Sequence, residues 1–224
     1  MKRILVLTVV ALMVCGVSFA KRDLPKVRLI LKDSIKIEGF LRSNLSDRDT
    51  AVAISPEQSG KKQKFSTKTI EKLEILPSTD SDKVTEVYPV YVFSSMHSGK
   101  GRISDYPMML LLTYKGKNAN GYIGRMWVYN SVVWNLEPIA YYKLSESDVA
   151  RPYLNFGTVF KKSRNTMKNS FEEYPELVQE LEDGTLSRDD INKDPMLMVK
   201  ELDKILDKNN NITLISKLSD NFLM

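Results

Sequence analysis

Alternating apolar and polar residues mark short β-strands over residues 27–76. Apolar residues recur at every second position over 27–31 and again over 35–41. This spacing places them together on one side of a sheet. Asp33-Ser34 separates the two alternations and predicts a two-residue hairpin turn. Further strands are predicted at 51–54, 64–66 and 73–76, with one helical turn at 69–72.

The middle third of the chain predicts a second, antiparallel sheet. A strand is predicted over 87–93, where Pro89 favours an edge position or a strand start because it has no N–H to donate. The run 108–114 is apolar on both faces, which is typical of a central strand. Asn120-Gly121 predicts a turn over 115–121, since both residues tolerate positive φ. The remaining strands are predicted at 122–129, 132–134 and 139–144.

From residue 158 onward the apolar spacing becomes helical, with one inward-facing stripe per helix. Pro175 and Gly184 flank one segment, because proline suits the first turn of a helix and glycine its end. Asp194-Pro195 favours the start of the last helix, as an N-cap followed by proline at the first helical position. We expect these helices to pack on the second sheet. They are predicted over 159–173, 176–183 and 195–208, with a short turn capped by Ser187.

Together these elements predict an α+β protein. A small N-terminal β-barrel is expected over 24–77, because closure of five short strands in about fifty residues removes exposed sheet edges. The segment 78–85 is polar and predicts a linker. Residues 86–224 are then expected to form an antiparallel sheet with a packed helical C-terminal portion.

The stretch VRLILKDSIKIEGFL at 27–41 resembles the opening of Sm-like and SH3-like small barrels. In that family a strand ends in Asp-Gly and the next strand carries a glycine between apolar residues. Here Ser34 stands in place of the turn glycine. The Asp-to-Asn spacing with which Sm-like proteins hold uridine is missing from 46–50, and the later Arg-Gly pair is absent around 66–75. The resemblance therefore implies a small barrel over 27–76 and adds no support for RNA binding.

The first twenty residues have the pattern of a cleavable export signal. Two basic residues precede an apolar run over 4–14, and the small residues Ser18 and Ala20 occupy the positions that signal peptidase recognises. The run is shorter than the roughly 20 apolar residues that span a bilayer. We expect cleavage after Ala20 and export to the periplasm or the outer cell surface. The alternatives are an uncleaved anchor and lipidation at Cys15, and either would tether the protein to a membrane.

The counts of cysteine and histidine limit which catalytic and metal sites the mature chain can contain. The protein has 224 residues, a net charge of +5, one cysteine and one histidine. Cleavage removes Cys15, so no thiol remains for catalysis or metal binding. A single histidine also excludes the usual catalytic zinc sites, which need two or three imidazoles. We therefore expect no metal and no cofactor. The charge is uneven, with 18 basic and 12 acidic residues over 21–120 and 13 and 16 over 121–224.

The loop 94–102 contains the titratable groups of His97, Lys100 and Arg102 among serines and glycines. A histidine beside a serine supplies the components of a hydrolase, but the base must contact the hydroxyl and usually needs an orienting carboxylate. Residues adjacent in sequence seldom adopt that geometry, and a plain surface loop is the alternative. No catalytic residue is assigned, and a hydrolase centred on His97 remains the enzyme hypothesis.

The strand over 122–129 offers a different kind of site. Arg125, Trp127 and Tyr129 share one of its faces, because alternate residues of a strand point to the same side. Together with Trp134 they form a candidate aromatic platform for a sugar or a peptide. The alternative is that the aromatic rings of this sheet pack beneath the C-terminal helices.

These features predict an exported, non-catalytic binding or interaction protein of the periplasm or cell surface. A protein, peptide or glycan partner is expected, and a nucleic acid is not. The combination of signal, small barrel and helical tail resembles the general style of exported envelope proteins of Gram-negative bacteria. That likeness implies a compartment but no activity.

Overall fold

The computed structural model describes residues 24–77, 83–93, 101–129, 132–156 and 160–222. Within these ranges it is a mixed α+β fold, with ten strands in one sheet and four helices. The strands are β1 (Lys26–Leu31), β2 (Lys36–Leu41), β3 (Ala51–Ser55), β4 (Gln63–Ser66), β5 (Ile70–Ile75), β6 (Thr85–Val92), β7 (Met108–Lys115), β8 (Ala119–Tyr129), β9 (Trp134–Leu144) and β10 (Val149–Asn155). The helices are α1 (Phe160–Ser170), α2 (Pro175–Asp183), α3 (Arg188–Lys193) and α4 (Leu197–Phe222). The predicted signal at 1–20 lies outside the described residues.

The sheet follows the chain for most of its width. Its strand order is β10-β9-β8-β7-β6-β5-β1-β2-β3-β4. The neighbours pair antiparallel, and a short parallel pairing also joins β10 to β6. The pairing therefore returns from β10 to β6, so β6 to β10 form a ring of five paired strands. On its other side β6 pairs with β5, which connects the ring to the N-terminal strands.

The N-terminal strands confirm the predicted alternation, but the closed barrel is not confirmed. Ser34 turns the chain between β1 and β2 with a φ of 67°. The helical turn lies at Thr67–Thr69, earlier than predicted, because the Ser66 hydroxyl caps it by accepting from the Lys68 N–H. Among the described residues no ladder joins β4 to β5, and β5 pairs instead with β1 and β6. Of the predicted linker, residues 78–82 lie outside the described part of the chain.

Three groups of buried side chains form the core. One lies within the N-terminal strands and includes Val87 of β6 and Met109 of β7. A second lies within the ring and includes Leu110, Tyr122 and Tyr141. The third lies between the helices and β8, β9 and β10, as the amphipathic pattern of the helices predicts. The helical portion therefore packs on β8, β9 and β10, the part of the single sheet that was expected to carry it.

The predicted edge position of β6 is wrong. This strand lies between β5 and β7, in the interior of the sheet. The ladder with β5 ends at Val87, two residues before Pro89, so the missing N–H of Pro89 interrupts no bond to β5. Pro89 thus lies in the middle of a central strand, neither at an edge nor at a strand start, and is accommodated because the ladder to β5 has already ended.

Two predicted loop boundaries in the second sheet are also wrong. Asn120 and Gly121 lie within β8 and pair with β9, so the turn after β7 is shorter than predicted. Gly121 has no positive φ. The strand predicted over 132–134 is absent as such, because β9 begins at Trp134 and continues through Pro138 to Leu144. Val132 and Val133 therefore belong to the connection between β8 and β9.

Strand β10 was not predicted, and two helices end at other residues than predicted. The pattern of β10 is hidden by Arg151 and Pro152, which interrupt its apolar run. Helix α1 ends at Ser170, before the predicted 173, whereas α4 continues to Phe222 instead of ending near 208. The Asn210 side chain of α4 donates to Asn118 in the β7–β8 turn at 3.1 Å, which favours continuation beyond the asparagines. The caps at Gly184 and Ser187 are confirmed.

Candidate binding surface on the β8–β9 hairpin

The hairpin of β8 and β9 extends beyond its neighbours in the sheet. The two strands pair continuously from Ala119 and Leu144 to Tyr129 and Trp134. The ladder between β7 and β8 ends at Ile123, so the residues of β8 after Ile123 are not paired with β7. One side of this distal half, with Met126 and Val128, packs on the core of the ring. The opposite side carries the predicted platform residues.

Gly124 sets how closely the hairpin lies on that core. A Cβ at this position would lie 3.0 Å from Cε2 of Tyr141 and closer still to the side chains of Leu110 and Met108. Only glycine allows the strand to approach so closely. The base of the distal hairpin therefore packs directly on the buried side chains of the ring core.

The β2–β3 loop fastens the free edge of the hairpin. The Asp47 N–H donates to the Arg125 carbonyl at 2.9 Å, and the Asp47 carboxylate accepts from the Trp127 N–H at 2.9 Å. Within the loop, the Asp49 carboxylate accepts from the Ser46 N–H at 2.8 Å. The backbone groups that β7 leaves unpaired on β8 are thus satisfied by a loop almost eighty residues earlier in the chain.

The loop also brings Arg48 against the aromatic rings. Its guanidinium carbon lies 4.4 Å from the ring centroid of Trp134 and 5.5 Å from that of Trp127, within the range of cation–π contacts. The rings of Tyr129 and Trp134 lie 5.3 Å apart, and each of these residues is 54% exposed. We call the group formed by Arg48, Arg125, Trp127, Tyr129 and Trp134 the aromatic patch.

Of the other aromatic residues on β8 and β9, Tyr122, Tyr141 and Tyr142 are buried, and only Tyr142 packs beneath the helical portion as the alternative interpretation expected. Tyr142 stacks on Phe171, the residue that follows α1, at 4.6 Å, and its hydroxyl donates to the Ser170 carbonyl at 2.8 Å. Tyr122 and Tyr141 lie in the ring core, where burial raises the pKa of Tyr122 to about 12. Tyr122 and Tyr141 therefore lie on the side of the hairpin opposite the platform, whereas Tyr142 lies on the platform side by register and is covered by the helical portion.

A basic cleft adjoins the aromatic patch at Arg48. It has a volume of about 350 Å³ and opens between the β2–β3 loop and β4. Asp49 is its one acidic lining residue. Within the described part of the chain, neither Lys62 nor Lys64, which both line the cleft, forms an ion pair. The basic residues lining it are Arg42, Arg48, Lys62 and Lys64.

The structure brings together Arg125, Trp127, Tyr129 and Trp134, as the strand pattern predicts, and adds Arg48. The sequence contains no local signal for Arg48, because its position depends on a loop that pairs with a distant strand. Arg102 is exposed and pairs with Asp105 at 2.8 Å. His97 and Lys100 lie outside the described residues, so the hydrolase hypothesis stays a prediction.

The described residues offer stacking and charge rather than proton transfer in the patch. Aromatic rings and guanidinium groups bind apolar and anionic partners, and arginine stays protonated at any physiological pH. Within the described ranges, no group of three or more histidine, cysteine or acidic residues has the geometry to hold a metal ion. No helix in these ranges combines the length and the apolar character needed to span a membrane.

Comparisons with known proteins give no relative for this chain. No family model, no curated protein and no solved structure matches it. The function is therefore argued from the residues alone.

Proposed function

We propose that this is an exported, non-catalytic binding protein of the periplasm or cell surface, and that the aromatic patch is its binding surface. The observation that carries the proposal is the exposed pair of Tyr129 and Trp134 beside Arg48. Large aromatic residues exposed together cost free energy in water, and such groups are typical of binding sites. The export signal supports the compartment.

The rigidity of the patch supports a binding role. Its strand lies on the core at Gly124, and its free edge is fastened by Asp47. Groups held in place before binding lose less conformational entropy when a partner arrives. A preorganised aromatic and cationic surface is suited to a protein, peptide or glycan, all of which present apolar faces and charged groups.

A small barrel over β1–β5 remains part of this proposal. The five strands share one buried core, and the β2–β3 loop that presents Arg48 emerges from them. The role of the N-terminal strands would then be to support this loop against the hairpin.

Tryptophan fluorescence gives a direct test. The chain has two tryptophans, Trp127 and Trp134, and both lie in the patch. We expect the emission of the mature protein to shift with at least one probe from a set of basic, acidic and neutral peptides, neutral and acidic oligosaccharides, and lipid vesicles. The melting temperature should rise with the same probe, because binding to the native state stabilises it.

Variants locate the binding. Trp134→Ala should abolish the rise in melting temperature, whereas Tyr106→Ala, which removes an exposed ring outside the patch, should retain it. Binding that survives Trp134→Ala unchanged would show that the surface is elsewhere. Turnover of an ester or peptide that is lost in His97→Ala would favour the hydrolase instead.

A further inference from the structure

The described residues at the end of the β8–β9 hairpin expose several apolar side chains. Besides Tyr129 and Trp134, the connection carries Val132 and Val133, which are 80% and 51% exposed. We call these four residues the hairpin tip. Two adjacent aliphatic side chains and two aromatic ones thus project together from one end of the sheet.

Positive charge lies directly behind the tip. The Arg48 guanidinium rests on Trp134, and Arg125 is on the same face of β8 as Tyr129, four residues earlier. At about 3.3 Å per strand residue, Arg125 therefore lies roughly 13 Å back along the strand. Within the described part of the chain Arg125 has no ion pair. The basic cleft continues this charge on the far side of Arg48.

We propose that the hairpin tip docks on the surface of an anionic lipid bilayer. Val132 and Val133 enter the apolar layer beneath the headgroups, Tyr129 and Trp134 lie at headgroup level, and Arg48 and Arg125 contact lipid phosphates. This inference rests on the proposed function, because it uses the same surface and names its partner.

The chemistry of the tip favours a bilayer over a glycan or a peptide strand. Aromatic rings and arginines can bind a bilayer, a glycan or a peptide. Exposed valines, however, gain little binding free energy from contact with the hydroxyls of a sugar. In a bilayer each valine is removed from water into hydrocarbon, which is the transfer that favours burial of an aliphatic side chain. Tyrosine and tryptophan prefer the interface, where one end of the ring is wet and the other apolar.

The order of these groups along the hairpin matches the layers of a membrane surface. Interfacial segments insert about 5–10 Å, to the boundary of headgroups and acyl chains. The aliphatic residues lie in the connection between the two strands, the aromatic rings lie at the strand ends, and Arg125 lies farther back along β8. The packing at Gly124 holds the hairpin in its extended position, so docking requires no rearrangement of the strands.

Charge should set the affinity and its salt dependence. Each arginine near an anionic surface strengthens binding about fivefold, and salt screens this effect over about 8–10 Å. Binding is therefore expected to weaken steeply as the salt concentration rises, and more steeply for the natural protein than for a variant without Arg125.

The experiment uses the mature protein with two kinds of vesicle. One is made of phosphatidylcholine alone and the other of phosphatidylcholine mixed with anionic phosphatidylglycerol. Co-sedimentation measures binding, and tryptophan emission measures entry of the patch into a less polar environment. We expect binding and a shift to shorter wavelength with the anionic vesicles. Lipids brominated on their acyl chains should quench the emission.

Three variants separate the contributions. Val132→Asp should weaken binding about tenfold, because a charged carboxylate replaces an apolar side chain at the tip. Arg125→Gln should weaken it about fivefold and reduce the salt dependence. Ile35→Asp is the matched control: Ile35 is an aliphatic residue 52% exposed after the β1–β2 turn, and its replacement should leave binding unchanged. The melting temperature of each variant verifies folding.

Several results would overturn the inference. They are an absence of binding to anionic vesicles, equal binding to both kinds of vesicle, and unchanged binding by Val132→Asp. If vesicles fail while a peptide or an oligosaccharide shifts the emission and requires Trp134, the lipid partner is wrong and the proposed function stands. If no probe requires Trp134, both fall.

Discussion

At the scale of single residues, Asp203 shows how one side chain organises a turn. Its carboxylate accepts from the N–H groups of Lys117, Asn118 and Ala119 at 3.2, 2.6 and 3.1 Å, and from the Tyr114 hydroxyl at 2.9 Å. Partial burial alone would raise the pKa of Asp203, but these hydrogen bonds outweigh it and hold the pKa below its ordinary value. Burial of Tyr114 itself, together with its hydrogen bond to Asp203, raises the pKa of Tyr114 to about 12.

Asp203→Asn should therefore destabilise the protein at neutral pH. The amide has one oxygen fewer to accept from four donors, and the loss is expected at about 1–3 kcal/mol in the free energy of unfolding. Since the folded-state pKa is depressed, the carboxylate contributes fully above the unfolded-state pKa, and its contribution is lost as the pH falls through the folded-state value.

Urea unfolding over a range of pH tests this prediction. The difference between the natural protein and Asp203→Asn should be largest near neutrality and shrink as the pH falls below the ordinary range of an aspartate. Asp207→Asn serves as the control: Asp207 is on the same helix as Asp203, and the change removes one exposed ion pair with Lys117 of the β7–β8 turn, so its effect should be small. A constant difference at every pH would contradict the assignment.

At the scale of elements, the distal hairpin depends on contacts from both sides. The strand β8 lies on the ring core at Gly124, and the β2–β3 loop bonds its free edge through Asp47. Neither contact is local in sequence, and the loop contact places Arg48 on the aromatic rings. The candidate surface is therefore formed by the β2–β3 loop and the β8–β9 hairpin, which are far apart in the sequence.

Gly124→Ala should destabilise the protein by about 1–3 kcal/mol, because the added methyl group meets a filled core. The nearest atoms belong to Leu110, Met108 and Tyr141. Gly60→Ala is the matched control, since its Cβ would find ordinary contacts at 3.4 Å from Glu57. Thermal unfolding of both variants decides the point, and equal melting temperatures would refute the close approach at Gly124.

Asp47→Ala should loosen the edge of the hairpin without unfolding it. The Trp127 N–H loses its acceptor, at a cost of about 1 kcal/mol. Hydrogen exchange of the Trp127 amide should then accelerate about fivefold to tenfold, as measured by NMR. Asp33→Ala removes a similar carboxylate, which accepts from the Ile35 N–H, and should leave the Trp127 amide unchanged. An unaffected Trp127 amide in Asp47→Ala would mean that the loop does not hold the strand.

At the scale of the whole molecule, the two halves of the chain share a sheet and a core. Strand β5 pairs with β1 and with β6, and the N-terminal core includes Val87 and Met109 from beyond the predicted linker. Removing the second half would expose that core. The strands predicted to form a separate barrel thus share their core with β6 and β7 of the same sheet.

We expect a single cooperative unfolding transition for this reason. In differential scanning calorimetry the calorimetric and van't Hoff enthalpies should agree. Val87→Ala, at a buried position shared by both halves, should lower the one melting temperature through a loss of about 1–3 kcal/mol. Two separate transitions, with only the first moved by Val87→Ala, would instead support an independently folding N-terminal domain.

Local periodicity by itself determined most strands and helices of this protein and the shared face of Arg125, Trp127 and Tyr129. Apolar residues spaced two apart lie on one face of a strand, and those spaced three to four apart lie on one face of a helix. A short segment of sequence is enough to recognise either pattern. The caps at Gly184 and Ser187 were predictable on the same ground.

Only the tertiary structure decided which elements are neighbours. It placed Arg48 on Trp134, gave β6 a central position despite Pro89, paired β10 with β6, and left Val132 at the exposed end of a hairpin. These outcomes depend on pairing between segments far apart in the chain. No local pattern contains that information, because a strand exposes the same backbone groups to any partner.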